Sequence, residues 1–163
     1  MALAIIKDIQ KDYISAVHCY EAEILVSEKP QVDTFINLAF LYWEFATEEI
    51  EFNIPNGIPE EWGKIGVSRF TEILEMGLSK YPLNVELHFW NRYLRSRLFF
   101  DDFTYQDCEL LIEKYGDNSL VPYFFLSLTE TDKFKRELEM LAELCLENPT
   151  AKNNYIKTFL PID

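Results

Sequence analysis

A run of carboxylates without an intervening base is the feature of this sequence best suited to binding a charged ligand. The segment between Pro30 and Gly63 contains no Lys or Arg and carries seven acidic residues. Three of them, Glu44, Glu48 and Glu51, have the spacing that places side chains on one face of a helix. Like charges at this spacing repel each other, and a cationic partner would relieve the repulsion.

We predict that this segment forms a binding face for a basic protein. Aromatic residues are enriched at protein interfaces, and Trp62 lies beside the acidic stretch as a candidate anchor. The predicted acidic face consists of Glu44, Glu48, Glu49, Glu51, Glu60, Glu61 and Trp62. The alternative interpretation is an ordinary solvated surface that binds nothing.

A second charged surface, of opposite sign, is predicted on the helix between Val85 and Phe100. The residues that share one face of this helix are His88, Arg92, Arg95 and Phe99. A groove lined by arginines can bind carboxylates through bidentate hydrogen bonds, so the expected ligand is an acidic peptide. The alternative is that these arginines pair with acidic residues of the chain itself.

The residue types that enzymes use for catalysis form no recognisable motif here. His18 and His88 lie about 70 residues apart, and no nucleophile-elbow, phosphate-binding or metal-binding motif occurs. Asp101, Asp102 and Asp107 could supply carboxylates for acid–base chemistry, although a break between two helices explains them more simply. We therefore predict a protein that is not an enzyme and has no metal and no cofactor. An enzyme with an unfamiliar site remains the alternative.

The overall charge narrows the class of partner. Acidic residues outnumber basic residues 28 to 15, which gives a net charge of −13. Binding to nucleic acid depends on Lys and Arg, so this balance argues against a nucleic-acid partner. The charge either steers the protein toward a basic partner or simply keeps it soluble.

Cysteine usage and the N-terminal sequence predict a cytoplasmic protein. Cys19, Cys108 and Cys145 are odd in number and lack CxxC spacing, as expected of reduced thiols. The N-terminus reaches Lys7 too soon for a secretory signal, and no apolar run approaches the roughly 18 residues of a membrane span. Because the chain has 25 aromatic residues, a homo-oligomer also stays open.

The elements that position these residues are all predicted to be helices, because apolar residues recur every three or four positions. The predicted helices cover residues 3 to about 28, 32 to about 51, 59–81, 85–100, 104–115, 123–128, 132 to about 148 and 150–160. The predicted fold class is therefore all-α, with about nine helices in a single domain spanning 1–163. An extended hairpin at 32–81 has long helices flanking the loop 53–58.

Helix ends recur at a step of roughly 34 residues, at Pro82, Gly116 and Pro149. Pro82 is preceded by a small residue, Gly77, at a distance of five positions. An upstream helix has a large, a Leu, a small and a Tyr residue at Phe35, Leu38, Ala39 and Tyr42. In these residues the chain resembles the tetratricopeptide-repeat family. The resemblance implies antiparallel helical hairpins stacked in a right-handed array that binds proteins.

These observations predict a non-enzymatic protein–protein interaction module. The more specific hypothesis is an acidic inhibitor of the immunity or antitoxin type, which binds a basic toxin or nuclease through the acidic face. The alternative is a tetratricopeptide-like adaptor or scaffold that binds an acidic peptide in the arginine-lined groove. In both hypotheses the partner is another protein, and neither nucleic acid nor a membrane.

Overall fold

The computed structural model describes residues 1–161, and within them every regular element is a helix. The α-helices in chain order are α1 Leu3–Ile9, α2 Tyr13–Val26, α3 Val32–Thr47, α4 Glu61–Lys80, α5 Val85–Leu98, α6 Tyr105–Tyr115, α7 Pro122–Ser127, α8 Lys135–Glu147 and α9 Ala151–Lys157. A π-helical turn at Glu49–Asn53 and a 3-10 turn at Thr131–Phe134 lie between them. The prediction of an all-α fold with about nine helices is confirmed. No helix of the described residues has the length and apolar character required to cross a membrane.

Contacts within the chain divide it into two compact units. The first unit holds Met1–Pro82 and Thr150–Lys152, and the second holds Leu83–Pro149 and residues 153–161. A single domain over 1–163, whose last two residues lie outside the described part of the chain, stays a prediction. The right-handed, tetratricopeptide-like stacking of the hairpins also stays a prediction.

The first predicted helix, from residue 3 to about 28, is interrupted. α1 ends and α2 begins on either side of Lys11, whose backbone is left-handed with a φ of 62°. A right-handed helix cannot continue through a residue in this conformation. Neither a glycine nor a proline marks the break, and the apolar periodicity runs across it, so the sequence pattern indicated one helix.

Asp8 of α1 is buried and forms hydrogen bonds with two residues of the first unit, Tyr20 and Ala151. Its carboxylate accepts a hydrogen bond from Tyr20 Oη of α2 at 3.0 Å. It also accepts one at 2.7 Å from the backbone N–H of Ala151, the first residue of α9. Burial has the largest influence on this group and raises the pKa of Asp8 to about 6, although both donors act in the opposite direction.

α3 is the central helix of the first unit. Twelve consecutive residues, 34–45, are buried, so the helix is enclosed on every side. It packs against α2 and against α4. An acidic residue within this stretch is therefore buried whichever side of the helix it occupies.

α3 and α4 approach each other closely at Gly66. A Cβ atom at this position would lie 2.2 Å from the carbonyl oxygen of Tyr42 in α3. At Gly63, one turn earlier, a Cβ atom would lie 3.1 Å from the carbonyl oxygen of Phe45. Helix propensity alone treats both glycines as weak points of α4. The structure shows that Gly66 permits the contact between the two helices.

Arg69 of α4 links three helices of the first unit through a charged network. Its Nε and Nη2 donate to the two carboxylate oxygens of Glu21 in α2, at 3.0 and 2.8 Å. Tyr42 Oη of α3 donates to the same carboxylate at 2.7 Å. Arg69 Nη1 reaches Glu72 of α4 at 2.7 Å. The bidentate ion pair between Arg69 and Glu21 fixes α2 against α4, since two parallel hydrogen bonds restrain orientation as well as distance.

We expect Arg69→Gln to lower the free energy of unfolding by about 2 kcal/mol, because it leaves the Glu21 carboxylate with Tyr42 as its remaining donor. Glu72→Gln is the matched control, since it removes only the more exposed contact of the same guanidinium. The control should change stability by less than about 0.5 kcal/mol. Urea denaturation followed by circular dichroism measures both. Equal losses in the two variants would contradict the role assigned to the Glu21 pair.

The second unit has an aromatic core. The rings of Phe89, Tyr93 and Phe124 pack on one another with centroid distances of 5.4 to 5.6 Å. The helices predicted to start at residues 85 and 104 begin at Val85 and Tyr105. The Asn84 side chain accepts a backbone N–H at the start of α5, and Thr104 forms a capping box at the start of α6.

The start of α8 differs from the prediction. The helix was predicted from residue 132, whereas Thr131 and Asp132 lie in the 3-10 turn. α8 begins after Phe134, whose side chain forms no capping hydrogen bond and is buried. The buried Phe134 ring therefore lies at the junction between the 3-10 turn and α8.

Candidate protein-binding surface

The acidic residues of the first unit gather where α3 ends and α4 begins. α3 ends at Thr47, earlier than predicted, and α4 starts at Glu61 rather than at residue 59. We call the connecting residues 48–61, which include the π-helical turn, the acidic tip. Glu48 of the tip is half-buried, and four of its carboxylates are exposed: Glu49, Glu51, Glu60 and Glu61.

Hydrogen bonds of the π-helical turn explain why α3 stops. The carbonyl of Glu48 accepts from the N–H of Phe52 at 3.0 Å and from the N–H of Asn53 at 2.9 Å. The second of these bonds has the wider spacing of a π-helix, a conformation that often occurs at functional sites. Asn53 Nδ2 donates to the carbonyl of Phe45 at 2.8 Å and so satisfies a carbonyl near the open end of α3.

Glu44 does not belong to the exposed surface, and the prediction that one helix face carries it together with Glu51 is wrong. It is 4% exposed, because α3 is enclosed on every side at this point. Glu51 lies beyond the end of α3, so α-helical spacing does not relate its position to Glu44. Burial, with a smaller contribution from the charge of Glu48, raises the pKa of Glu44 to about 8.

Trp62 packs within the first unit, whereas two isoleucines of the tip are exposed. The Trp62 ring is half-buried and meets the rings of His18 and Phe45 edge-on, at centroid distances of 5.7 and 5.8 Å. Ile50 is 77% exposed and Ile54 is 67% exposed. Neither isoleucine was among the residues predicted to form the binding face. The sequence feature that could have indicated their exposure is their position, as aliphatic residues, within a polar stretch of acidic and turn-forming residues.

A cavity of about 350 Å³ lies at the acidic tip. Phe45 and Ala46 of α3, Gly63 of α4 and the tip residues Ile54 and Ile58 form its apolar lining. Its polar side chains are those of Glu49, Asn53, Glu60 and Lys64. Asn53 is only 7% exposed, and its Oδ1 accepts no hydrogen bond from the described residues. The cavity lining therefore includes two acidic residues, one lysine and the buried Asn53.

The predicted arginine-lined groove on α5 is engaged in contacts within the second unit. Arg92 Nη2 donates to the carbonyl of Asp102 at 3.1 Å and lies 3.6 Å from the carboxylate of Asp107. The Arg92 guanidinium also lies 5.3 Å from the ring centroid of Phe103. Asp107 itself caps α6, where the Thr104 N–H and hydroxyl hold the pKa of Asp107 below its usual value. Arg92 thus pairs with the chain itself, the alternative that the sequence left open.

The other predicted groove residues have mixed surroundings. His88 stacks on Tyr115 of α6, with ring centroids 3.8 Å apart. Arg95 Nε donates to Asn91 Oδ1 on the same helix at 3.1 Å. Phe99 directly follows α5 and is exposed. His88 and Arg95 are therefore already in contact with residues of the second unit.

Comparison with known proteins adds no relative from which a function could be transferred. Models of protein families, curated proteins and solved structures contain no match to this chain. The function must therefore be argued from the residues of the chain itself, and the resemblance to tetratricopeptide repeats stays a prediction.

Proposed function

We propose that this protein is a non-enzymatic protein-binding module whose acidic tip binds a basic protein. The observation that carries the proposal is the surface of the tip, where four exposed carboxylates accompany the exposed side chains of Ile50 and Ile54. Protein interfaces commonly have an apolar centre that excludes water and a polar rim that sets specificity. The tip offers both components within 14 consecutive residues, 48–61.

The charge of the tip favours a cationic partner. No Lys or Arg lies between residues 31 and 62, so nothing within that stretch of sequence offsets the carboxylates. A partner surface rich in Lys and Arg would relieve their mutual repulsion, and long-range attraction would speed the encounter. Because the carboxylates are exposed, salt should screen this attraction and slow association.

The arginine-lined groove has less support as the working surface. The guanidinium of Arg92 is already bonded to the loop between α5 and α6, and His88 stacks on a neighbouring ring. An acidic peptide would have to displace these contacts before it could use the two side chains. The acidic tip requires no such displacement for its exposed carboxylates.

The more specific form of the proposal is an inhibitor of a basic toxin or nuclease. A nuclease cleft carries Lys and Arg because it must neutralise phosphates. A protein with a net charge of −13 and a cluster of exposed carboxylates can occupy such a cleft in place of nucleic acid. The absence of catalytic activity in the protein itself is part of this proposal.

Charge reversal at the tip tests the proposal. We expect the tip variant, with lysine at Glu49, Glu51, Glu60 and Glu61, to associate with the partner about tenfold more slowly or worse. The matched control has lysine at four exposed acidic residues of α6 and α8: Glu109, Glu113, Glu139 and Glu143. Both variants have the same net charge, so only the position of the changes differs. The control should retain the association rate of the unmodified protein.

The measurement has two stages. The tagged protein and both variants are first used for affinity purification from the native lysate at low and high salt, with identification by mass spectrometry. Association rates with the purified partner are then measured by surface plasmon resonance. A basic partner that the control retains and the tip variant loses supports the proposal. A partner that binds all three proteins at the same rate would overturn it.

A further inference from the structure

Phe100 is an exposed aromatic residue whose backbone conformation disfavours a large side chain. It follows Phe99, the C-terminal cap of α5, and its φ of 60° is left-handed. Helices often end on a residue in this conformation, which is usually glycine, because a side chain there crowds the backbone. Gly116 provides the positive φ at the end of α6. The Phe100 side chain is 88% exposed, so contacts within the chain do not offset the strain.

A cavity of about 360 Å³ lies within the second unit, and its lining includes Asp101, the residue after Phe100. Its apolar walls are the side chains of Tyr93, Phe103, Phe125, Leu128 and Phe159. The rings of Phe103 and Phe125 stack with their centroids 4.8 Å apart, and Leu128 is 55% exposed. Aromatic rings attract each other beyond the effect of the area that they bury. The walls of this cavity therefore suit an aromatic side chain.

The lining of this cavity also carries charges of both signs. Arg97 of α5 and the acidic residues Asp101 and Asp102 belong to it, and all three are exposed. No ion pair within residues 1–161 uses Arg97 or either of these two carboxylates. A copy of the same surface, related by a two-fold rotation, can place a cation opposite the carboxylates in both directions.

We infer that a second copy of this chain covers this surface. The Phe100 ring of each copy occupies the aromatic cavity of the other, and Arg97 of each copy lies against Asp101 and Asp102 of the other. A two-fold interface requires both halves of every contact on one surface, and the second unit holds the ring, the cavity and both kinds of charge. The inference goes beyond the proposed function, because self-association does not depend on the basic partner.

A second copy matches this surface better than the basic partner does. A protein rich in Lys and Arg would meet the cation of Arg97 here, whereas the acidic tip opposes it with no cation between residues 31 and 62. Two copies that each carry a net charge of −13 repel each other at long range, so they approach most easily where basic side chains accompany the acids. The contact has one ring from each copy, which corresponds to a small and weak interface.

Sedimentation velocity of the full-length protein tests the inference, at about 0.15 M salt to screen the long-range repulsion. We expect a reversible equilibrium between monomer and dimer with a Kd of about 10 to 100 μM. Phe100→Gly should weaken the dimer by at least about tenfold. Leu25→Ser is the matched control, because Leu25 is 82% exposed and lies on α2, and it should retain the Kd. A monomer at every concentration, or an unchanged Kd for Phe100→Gly, would overturn the inference.

The thermal stability of Phe100→Gly distinguishes an interface residue from one that supports the fold. At concentrations well below the Kd, we expect its Tm to exceed that of the unmodified protein by about 2 °C, since glycine relieves the left-handed backbone. Loss of the dimer with a Tm that is not lowered supports the inference. A lowered Tm would show that the ring stabilises the monomer, and the assignment of Phe100 to the interface would be overturned.

An exchange of charges tests the two-fold arrangement. One variant carries Arg97→Glu, and the other carries Asp101→Arg with Asp102→Arg. Either variant alone places like charges opposite each other, so its self-association should weaken by about tenfold. An equimolar mixture restores opposite charges at both contacts, and a heterodimer should form with about the Kd of the unmodified protein. A mixture that associates no better than the separate variants would overturn the arrangement.

The basic partner of the acidic tip provides the remaining outcome. Affinity purification with Phe100→Gly should recover that partner as the unmodified protein does, because the substitution leaves every carboxylate of the tip unchanged. Loss of the partner, together with an unmodified protein that stays monomeric, would assign Phe100 to that partner and overturn the second copy. A dimer that Phe100→Gly abolishes, with binding to no basic protein by any variant, would overturn the proposed function and support the self-association.

Discussion

Replacing Gly66 with alanine is expected to lower the free energy of unfolding by about 3 kcal/mol, because the added methyl group overpacks the contact between α3 and α4. The new carbon would lie 2.2 Å from the Tyr42 carbonyl oxygen, far inside any normal contact distance. That oxygen belongs to the backbone of a helix with twelve consecutive buried residues, so it cannot simply rotate away. The two helices would have to separate, and packing along their interface would be lost.

The sign of this effect is informative, because intrinsic helix propensity predicts the opposite result. Alanine stabilises a helix interior by about 1 kcal/mol relative to glycine. Gly63→Ala should be milder, since its Cβ would lie 3.1 Å from the carbonyl oxygen of Phe45. Ser68→Ala on the exposed side of α4 is the control and should stay within about 0.5 kcal/mol of the unmodified protein.

Thermal denaturation followed by circular dichroism gives the ranking of the three variants. A loss of about 3 kcal/mol corresponds to a fall in Tm of about 6 to 12 °C for a chain of this size. Gly66→Ala should fall furthest and Ser68→Ala least. A Gly66→Ala protein as stable as the unmodified chain would show that α3 and α4 do not approach as closely as described.

Helix positions were predictable from sequence wherever periodicity ended at a local breaker. α4 ends at Lys80 shortly before Pro82, α6 ends at Tyr115 before Gly116, and α8 ends before Pro149. Proline and glycine act through the backbone of their own residue, so the signal is local and readable.

Two other helix ends were not predictable, because no local breaker marks either of them. α1 stops near Lys11, where Asp8 bonds Ala151, a residue far along the chain. α3 stops at Thr47, where Asn53 bonds the carbonyl of Phe45 across the π-helical turn. No residue type at either position breaks a helix by itself. The sequence pattern therefore continued through both ends.

The candidate site was predictable in its charge and not in its shape. The absence of Lys and Arg between residues 31 and 62 is a property of the sequence, and it located the exposed carboxylates of Glu49, Glu51, Glu60 and Glu61. Helical periodicity misplaced Glu44, since a helix enclosed on every side buries polar positions as well. The cavity and the exposure of Ile50 and Ile54 depend on the π-helical turn, which spacing rules do not foresee.

Replacing Glu44 with glutamine is expected to stabilise the protein increasingly as the pH rises. Burial raises the pKa of Glu44 from 4.5, its ordinary value, to about 8 in the folded protein. The folded state therefore holds a proton that the unfolded chain releases between these two pH values. Stability from this group is fully present below about pH 4.5 and is lost as the pH rises through about 8. Glutamine removes the titration while it keeps the size and the uncharged character of the protonated acid.

The expected advantage of Glu44→Gln is close to zero at pH 4.5 and reaches at most about 5 kcal/mol above pH 8, with about 3 kcal/mol at pH 7. Asp8 titrates in the same folded unit, and burial raises its pKa to about 6, so the total stability falls with pH for two reasons. The difference between the variant and the unmodified protein isolates Glu44, because Asp8 is present in both. Urea denaturation at a series of pH values supplies this difference directly.

Glu113→Gln is the matched control, because it removes one negative charge from an exposed position of α6. Its stability relative to the unmodified protein should be the same at pH 5 and at pH 9, within about 0.5 kcal/mol. A Glu44→Gln advantage that grows between those two values, beside a flat control, means that a carboxyl buried under the acidic tip opposes folding when it ionises. A Glu44→Gln difference that is equally flat would show that water reaches this carboxyl in the folded protein, and that α3 is not enclosed at its C-terminal end.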